Sequence, residues 1–590
     1  MMNVELQRAR SRQMFIFLLV LTAMVILMGR LYYWQVVRSP QLTKLADQEH
    51  IQNSIVPAPR GLIYDSQGRL LATNIVRDDV YIEPIPLAND YADLDTLATE
   101  KATLIKSIRQ VLPNLSVADL NKDFARNLYT VRIATAIDPA QSQQLRNLAL
   151  PYTFLEPRSI RVYPGGDLAA QVLGYVQENA LPDGGAIGRY GIEGALNSQL
   201  SGKPGSFTAE RDLNGNPLTV GASTSQQVVN GANVTLTIDS TVQYMVQTEL
   251  ANYVKSAQAQ SGTAIVLDVR SGAVVAMAGY PSFDPNHYSN YANKLGCNGT
   301  EDVFFNPALY CAYEPGSTMK AVTMAAGLDQ GLITPETAID DKGVLTFKDH
   351  TPPVTNWANI PYGRETMTQV LEHSANVGAA WVAHNVLGPS RFYPYLSRFG
   401  FGQVTGIGGP EQSGFYRTTS DKNWSPSDLA RQSFGQTILA TPIQMVMAYE
   451  AIANGGVMMK PYLVSSISQN NQVKQMQPQV KQRVMSTQAA HQLTQMLIAA
   501  ANYNQQATFP GYSVAVKTGT STTQGLSDEK TEASMVGFVP ASQPRFVILV
   551  KLDQPQSTTY SIFGGTAAGP LWRTLAQQLM WHFAVTPDQA

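Results

Sequence analysis

Glu314-Pro315-Gly316-Ser317-Thr318-Met319-Lys320 is the stretch around which this 590-residue chain can be ordered. Pro315-Gly316 is a turn signal, and the residues from Thr318 to Leu328 are helix formers with apolar spacing, so Ser317 is expected in the first turn of a helix. The first N–H groups of a helix lack internal partners, and its dipole is positive there. A serine so placed can attack a carbonyl while its own N–H faces the oxyanion that develops. Lys320 lies three residues on, on the same helix face and within reach of the serine oxygen. A hydroxyl is a weak nucleophile and needs a base; a lysine serves once desolvation or a nearby cation lowers its pKa. Alone, Ser-x-x-Lys is a weak signal. Ser527 to Lys530 repeats it inside a polar run with no turn-then-helix pattern, and that copy reads as surface loop.

Two other pieces carry matching chemistry. His373-Ser374-Ala375-Asn376 sits between helical patterns at 366–372 and 377–386. Ser374 offers a hydroxyl relay, and Asn376 an amide that can hold a substrate carbonyl. Ser468-Gln469-Asn470 has the same spacing but lies in a Gln/Asn-rich, hairpin-like stretch without catalytic context. Lys517-Thr518-Gly519-Thr520 ends a strand expected over 512–516. Here Lys517 supplies a fixed positive charge, Thr518 and Thr520 supply hydroxyls for a carboxylate, and Gly519 leaves room for substrate along the strand. Singly, these pieces are an ordinary interhelical loop and a polar strand end. Jointly, the second follows the first by 57 residues (374 − 317) and the third follows by a further 143 (517 − 374). Each falls where the expected fold needs it: helix start, interhelical loop, sheet strand.

The composition is that of a globular chain, and a net charge near −2 gives no basic excess to suggest nucleic acid. The run from Met14 to Met28 has Thr22 as its one polar member and follows Arg8, Arg10 and Arg12. Gly29-Arg30-Leu31-Tyr32-Tyr33-Trp34 then offers no small-x-small cleavage site. Residues 14–37 are therefore expected as an uncleaved membrane helix, rather than a signal peptide or a buried core helix. The arginines would keep residues 1–13 in the cytoplasm, and the aromatic residues would sit at the far interface. The two cysteines, Cys297 and Cys311, would tend to pair outside the membrane and pin the loop entering the Ser317 turn; two free thiols is the other reading. The seven histidines form no ligand cluster, and neither metal nor cofactor is expected.

Beyond the membrane helix, a stalk helix at 39–49 and helices at 94–112 and 116–127 punctuate short, Gly-rich strands. These make an elongated, β-rich pedestal over 38–228. Residues 229–590 read as an α/β (α+β) catalytic domain. It has strands at 234–239, 263–268, 273–277, 513–517, 533–539 and 545–552, helices at 240–260 and 571–583, and a mostly helical block between. A cleft between sheet and helical block is the natural place for the three pieces.

In the order Ser-x-x-Lys, Ser-x-Asn, Lys-Thr-Gly these pieces are the triple motif of penicillin-recognising serine acyl transferases. The chain resembles a class B penicillin-binding protein, a monofunctional peptidoglycan D,D-transpeptidase. Arg60-Gly61-x-Ile63-x-Asp65-x-x-Gly68-x-x-Leu71-Ala72 and Gly191-Ile192-Glu193 with Leu200-x-Gly202-x-x-Gly205 look like that family's pedestal signatures, and Gly564-Gly565-Thr566-Ala567-Ala568-Gly569-Pro570 its turn into the last helix. No Glu-containing polymerase motif of a class A protein is visible. The resemblance implies a penicillin-binding transpeptidase domain with an antiparallel five-stranded sheet flanked by helices. Ser317 would be acylated by stem peptides ending in D-Ala-D-Ala, or by β-lactam antibiotics, with Lys320 kept neutral as the base. The Ser317 and Thr520 N–H groups would form the oxyanion hole, and Ser374 would relay the proton to the departing D-alanine. Asn376 would orient the peptide, and Lys517, Thr518 and Thr520 would hold the terminal carboxylate. The resemblance also implies a single-pass protein of the bacterial cell membrane, N-terminus cytoplasmic and catalytic domain extracytoplasmic, whose pedestal activates a SEDS-type membrane glycosyltransferase. The motifs do not separate an amine acceptor from water, as in a D,D-carboxypeptidase or β-lactamase. A β-lactam sensor is disfavoured by the short stretch ahead of the membrane helix. A non-enzymatic polymerase partner is compatible with the enzyme.

Overall fold

Apolar residues on every face of a helix leave it no polar side to turn to water. From Met14 to Met28 helix α1 (Met2–Tyr32) is such a helix, and from Arg10 onward its side chains are exposed throughout. With the π-turn Tyr33–Val37 it gives a span, Arg10–Val37, that is long and apolar enough to cross a membrane, with a mean hydropathy of 2.4 in its best window. At the end of that span Arg38 lies 5.7 Å from the Trp34 ring centroid and donates to Tyr33 Oη at 3.2 Å. A cation is thus added to the aromatic belt read from the sequence.

The computed structural model describes residues 2–42, 51–56, 58–178, 180, 185–210, 223–348, 351–522, 530–556 and 563–589. Most of the expected stalk helix and the second Ser-x-x-Lys serine, Ser527, lie outside the described residues. The chain falls into two compact units. One comprises residues 1–59 and 202–230 and holds α1 and a three-stranded antiparallel sheet of Ile51–Val56, Gly205–Glu210 and Ser223–Gln226. The other comprises residues 60–201 and 231–590.

In the larger unit, β1 (Ile63–Tyr64), β2 (Leu70–Ile82), β3 (Val131–Ile137), β4 (Thr153–Val162) and β5 (Asn233–Leu236) share one sheet with the hairpin Val464–Gln469/Gln472–Gln475. That hairpin carries Ser468-Gln469-Asn470, and its two-residue turn, Asn470-Asn471, has φ of 50° and 63°. Two positive φ angles are what a tight right-twisted hairpin requires, so the asparagine is a turn residue there. Helices α2 (Leu94–Val111) and α3 (Val117–Phe124) pack their apolar faces into a separate small core with β2 and β3, and Ser116 caps α3.

The signatures Arg60-Gly61 and Gly191-Ile192-Glu193 meet in a buried ion cluster. Arg60 Nε donates to Glu193 Oε2 at 2.6 Å, and Arg161 Nε to Glu193 Oε1 at 2.7 Å. Arg161 also donates to the Gly61 carbonyl at 2.8 Å. A Cβ on Gly61 would fall 1.9 Å from the Ala232 carbonyl oxygen, which is why that position is a glycine. Glu193 is fully buried, and removing it would strand two guanidinium groups. Glu193→Ala is therefore expected to destabilise the unit by about 3–5 kcal/mol, seen as a lower urea midpoint, with Glu193→Gln intermediate.

The second half of this unit is organised on an antiparallel sheet in the order β7–β6–β10–β9–β8. Its strands are β6 (Ser261–Asp268), β7 (Val274–Tyr280), β8 (Ala515–Thr522), β9 (Thr531–Val539) and β10 (Phe546–Asp553). Its central strands are apolar on both faces. Ala264, Val266, Ile548 and Val550 point to one core, and Ile265, Leu267, Val547 and Leu549 to the other. The period-two alternation thus feeds two cores, each needing its own cover of helices. Helices α4 (Ser240–Ser256, capped by Asp239) and, from the C-terminus, Gly564–His582 cover the first face. The second is covered by α5 (Lys320–Asp329), α6 (Met367–Glu372), α8 (Pro442–Ala453) and α9 (Thr487–Asn504), while α7 (Asn376–Trp381) reaches that core through Trp381 and buries Ala379 and Ala380 in a smaller cluster with Phe347 and Phe434.

Several element bounds differ from the sequence reading: the strand expected at 234–239 is Asn233–Leu236 and joins the other sheet, the helix expected at 240–260 ends at Ser256, and two further differences bear on the site. The C-terminal helix α10 starts at Gly564, not Leu571, so the Gly-rich segment forms its first turns. Cβ atoms on Gly564 and Gly565 would fall 2.1 Å from the Gly519 carbonyl oxygen and 1.6 Å from Gln506 Oε1. These glycines therefore permit close docking rather than mark a turn. Strand β8 runs on to Thr522, paired residue for residue with β9, so Lys517-Thr518-Gly519-Thr520 lies inside the strand, not at its end.

Candidate active site

Pro315 and Gly316 bend the chain into a short 3₁₀ turn, Gly316–Met319, which runs directly into α5. Gly316 has φ of +56°, and a Cβ there would lie 2.6 Å from the Thr520 carbonyl oxygen. Gly435 backs the same turn: it accepts from Gly316 N at 3.1 Å, and its own Cβ would sit 2.2 Å from the Gly316 oxygen. Thr318 Oγ1 donates to the Pro315 carbonyl at 2.7 Å, and buried Tyr449 donates to the Thr318 carbonyl at 2.9 Å. The serine turn is therefore clamped between strand β8 and the helical block. Cys297 and Cys311 are disulfide-bonded on the approach to it, with Cα atoms 5.6 Å apart.

Ser317 is half-buried, and Lys320 beneath it is fully buried. Lys320 Nζ lies 3.0 Å from Ser317 Oγ, 2.8 Å from Asn376 Oδ1 and 3.3 Å from Ser374 Oγ, and it also contacts the Ser374 carbonyl oxygen. Ser374 has φ of +57°, a left-handed conformation uncommon for a serine. That twist presents its carbonyl to Lys320 and its hydroxyl to Lys517, whose Nζ donates to Ser374 Oγ at 2.9 Å. One continuous path thus joins Ser317, Lys320, Ser374 and Lys517, with Asn376 at its side. Asn376 is itself held by Thr355 O, which accepts from its Nδ2 at 3.1 Å.

Burial, and then the neighbouring Lys517 ammonium, push Lys320 well below the ordinary lysine value, while Glu365 acts in the opposite direction. A lysine lowered in this way is more readily neutral, and a neutral lysine can accept a proton. Burial also brings Lys517 down to about 7, so its charge is less fixed than the sequence suggests. Along β8 the side chains alternate. Lys517, Gly519 and Ser521 face the serine turn: a Gly519 Cβ would lie 2.6 Å from the Pro315 carbonyl oxygen, and Ser521 Oγ donates to the Glu314 carbonyl at 2.7 Å. The missing side chain at Gly519 thus makes room for the protein's own serine turn rather than for a substrate. Thr520 Oγ1 accepts from Gly564 N at 2.9 Å, tying the strand to α10.

The description "Penicillin binding protein transpeptidase domain" fits residues 262–577, and "Penicillin-binding Protein dimerisation domain" fits residues 55–236. The chain belongs to the class B penicillin-binding proteins. Among its relatives, penicillin-binding protein PbpB of Mycolicibacterium smegmatis is 30% identical over 97% of this chain and 90% of its own length. Peptidoglycan D,D-transpeptidase FtsI of Escherichia coli K12 is 28% identical over 96% of this chain and 91% of its own. Among solved structures, penicillin-binding protein 3 of Mycobacterium tuberculosis complexed with ampicillin is 26% identical, with a TM-score of 0.67 over 91% of this chain and 98% of that one.

The sequence reading missed two parts of this class B site. Gly435, in Phe434-Gly435-Gln436-Thr437, carries no reactive group, and only its fit against Gly316 shows its part. Glu365, at the end of a short strand paired with Ala338–Asp341, is a lone carboxylate with no motif around it. Its relation to Lys320 exists only in three dimensions.

Proposed function

We propose that this class B penicillin-binding protein is a peptidoglycan D,D-transpeptidase that works through an acyl-enzyme on Ser317. The observation that carries the reading is a buried Lys320, its pKa lowered, lying between Ser317 Oγ and the Ser374 hydroxyl. Lys320 takes the proton of Ser317 as its oxygen attacks the carbonyl ahead of a terminal D-alanine. The N–H groups of Ser317 and Thr520 stabilise the oxyanion. The proton passes through Ser374 to the departing amine, and an amine of a second stem peptide then resolves the ester. Asn376 orients the donor peptide, and Lys517, Thr518 and Thr520 hold its terminal carboxylate. β-Lactams take the donor's place and leave a slow adduct. The arginines ahead of α1 favour a cytoplasmic N-terminus and an extracytoplasmic catalytic domain. Residues 38–228 serve as a pedestal and 229–590 as the catalytic domain, with a SEDS-type membrane glycosyltransferase as the pedestal's partner.

The test is to map the penicilloyl adduct by mass spectrometry. Mass added to the peptide bearing Ser317 is the expected result, and mass on another residue, or none, would refute the reading. Product analysis with purified glycan strands separates cross-linking from simple loss of D-alanine.

Lys517 contributes to the pH dependence of this reaction. An ammonium that must pair with a carboxylate is lost as pH rises through about 7 in the free protein. Acylation by a penicillin with a free carboxylate is therefore expected to slow by up to about tenfold per pH unit above that point. A neutral ester of the same lactam should not share this dependence. Second-order labelling rates from pH 6 to 9 check it.

A further inference from the structure

Behind Ser374-Ala375-Asn376 lies a layer of polar groups that the reaction does not use directly. Glu365 is almost wholly buried, and its Oε2 lies 3.0 Å from His373 Nδ1. His373 immediately precedes the left-handed Ser374 and is packed on both sides. Its ring stacks on Tyr362 at 4.5 Å and meets the edge of Tyr503, from α9, at 5.5 Å. The other carboxyl oxygen of Glu365, Oε1, is buried and makes no hydrogen bond among the described residues. The group bearing on it is the Asp341 carboxylate. Both Asp341 oxygens are engaged, one by Gly343 N at 2.6 Å and the other by Asn356 Nδ2 at 2.7 Å. Asn356 Oδ1 in turn accepts from Val377 N at 3.0 Å, the residue after Asn376. The layer therefore grips the Ser374–Asn376 segment from both ends.

A buried carboxyl oxygen with no donor, next to a second carboxylate, is the setting in which one of the two keeps a proton. We propose that Glu365 is a positioning residue for acylation: protonated at neutral pH, it fixes His373 and so the Ser374 turn, and when ionised at higher pH it works against the neutral form of Lys320. Burial, reinforced by Asp341, raises Glu365 to about 8, and Lys320 opposes that rise. The titratable groups facing it are Asp341 from the paired strand, Lys320 from α5 and His373 from the end of α6, with Tyr362 and Tyr503 across the imidazole. With the proton on Oε1, toward Asp341, Oε2 is left to accept from His373 Nδ1. Loss of that proton places a negative charge near Lys320, which favours the ammonium and removes the base.

The inference rests on the acyl-transfer reading of Ser317. Its test is the rate of acylation by a fluorescent penicillin for wild type, Glu365→Gln and Glu365→Leu, from pH 6 to 9. Glutamine copies the protonated acid, accepting from His373 and donating toward Asp341. Glu365→Gln is expected to match wild type within about twofold at pH 6–7 and to exceed it by about threefold to tenfold at pH 9. Any effect of Lys517 is common to both proteins and cancels in the ratio. Glu365→Leu is expected to lose about tenfold at every pH, since His373 and Asp341 both lose their partner. A Gln-to-wild-type ratio that stays flat from pH 6 to 9 overturns the proposal, and so does a folded Glu365→Leu protein with wild-type rates. If the leucine variant does not fold, the glutamine ratio alone decides. Failure of wild type to label sinks the acyl-transfer reading instead.

Discussion

Ser317→Ala is expected to abolish labelling by penicillin and to lower cross-linking by at least about 10⁴-fold, while leaving the fold intact. The loss is total for labelling because the oxygen removed is the atom that becomes acylated, and no other hydroxyl occupies its place. Ser374 Oγ is also within 3.3 Å of Lys320 Nζ, but it accepts from Lys517 and follows a different turn. The fold is spared because Ser317 is half-buried and its turn is held by other bonds: Gly316 N to Gly435 O, Thr318 Oγ1 to Pro315 O, and Tyr449 Oη to Thr318 O. The thermal midpoint should therefore move by no more than about 3 °C. Labelling that survives in this variant at wild-type stoichiometry would place the nucleophile elsewhere.

The parts of the site that were legible in sequence are those whose chemistry and local structure coincide within a few residues. Ser317 and Lys320 are three apart at a turn-to-helix junction, so their meeting follows from helix geometry alone. Ser374 and Asn376 sit in a gap between two helical patterns, and Lys517 on a strand. What local pattern could not give is anything decided by a distant segment docking. Thr520 appeared to follow a strand, yet pairing with Ala533 on β9 carries the strand past it. The glycines after Phe563 are expected as a turn only through the family resemblance; in the structure they open the last helix, where Gly564 lies against the Gly519 carbonyl. Gly519 was read as room for substrate, and the space is filled by the Pro315 carbonyl. Glu365 and Gly435 left no signal at all, for their roles depend on neighbours 45 residues (365 − 320) and 119 residues (435 − 316) away. The central strands and flanking helices of the sheet were readable because strands buried on both faces are rich in apolar residues, whereas their antiparallel order came only with the family resemblance.

Lys320→Met tests the claim that the base is a neutral lysine, and it has two separable consequences. Methionine keeps most of the volume and removes the proton acceptor, so acylation is expected to fall by about 10³- to 10⁴-fold. The second consequence appears in stability. Burial and Lys517 lower Lys320 in the native protein, so across the window from that lowered value up to the ordinary lysine range the unfolded chain holds a proton that the native protein does not. Stability then rises with pH through that window, by up to about 1.4 kcal/mol per pH unit for one proton. Lys517, lowered to about 7 by burial, contributes in the same sense above that pH. Removing Lys320 should therefore make the pH slope of the urea-unfolding free energy between pH 8 and 10 shallower by as much as one proton, and leave the share of Lys517. A lysine that stayed charged in the native protein would give no such slope. An unchanged slope in Lys320→Met, together with a large loss of acylation, would mean that Lys320 acts as a fixed cation toward Ser317 rather than as its base.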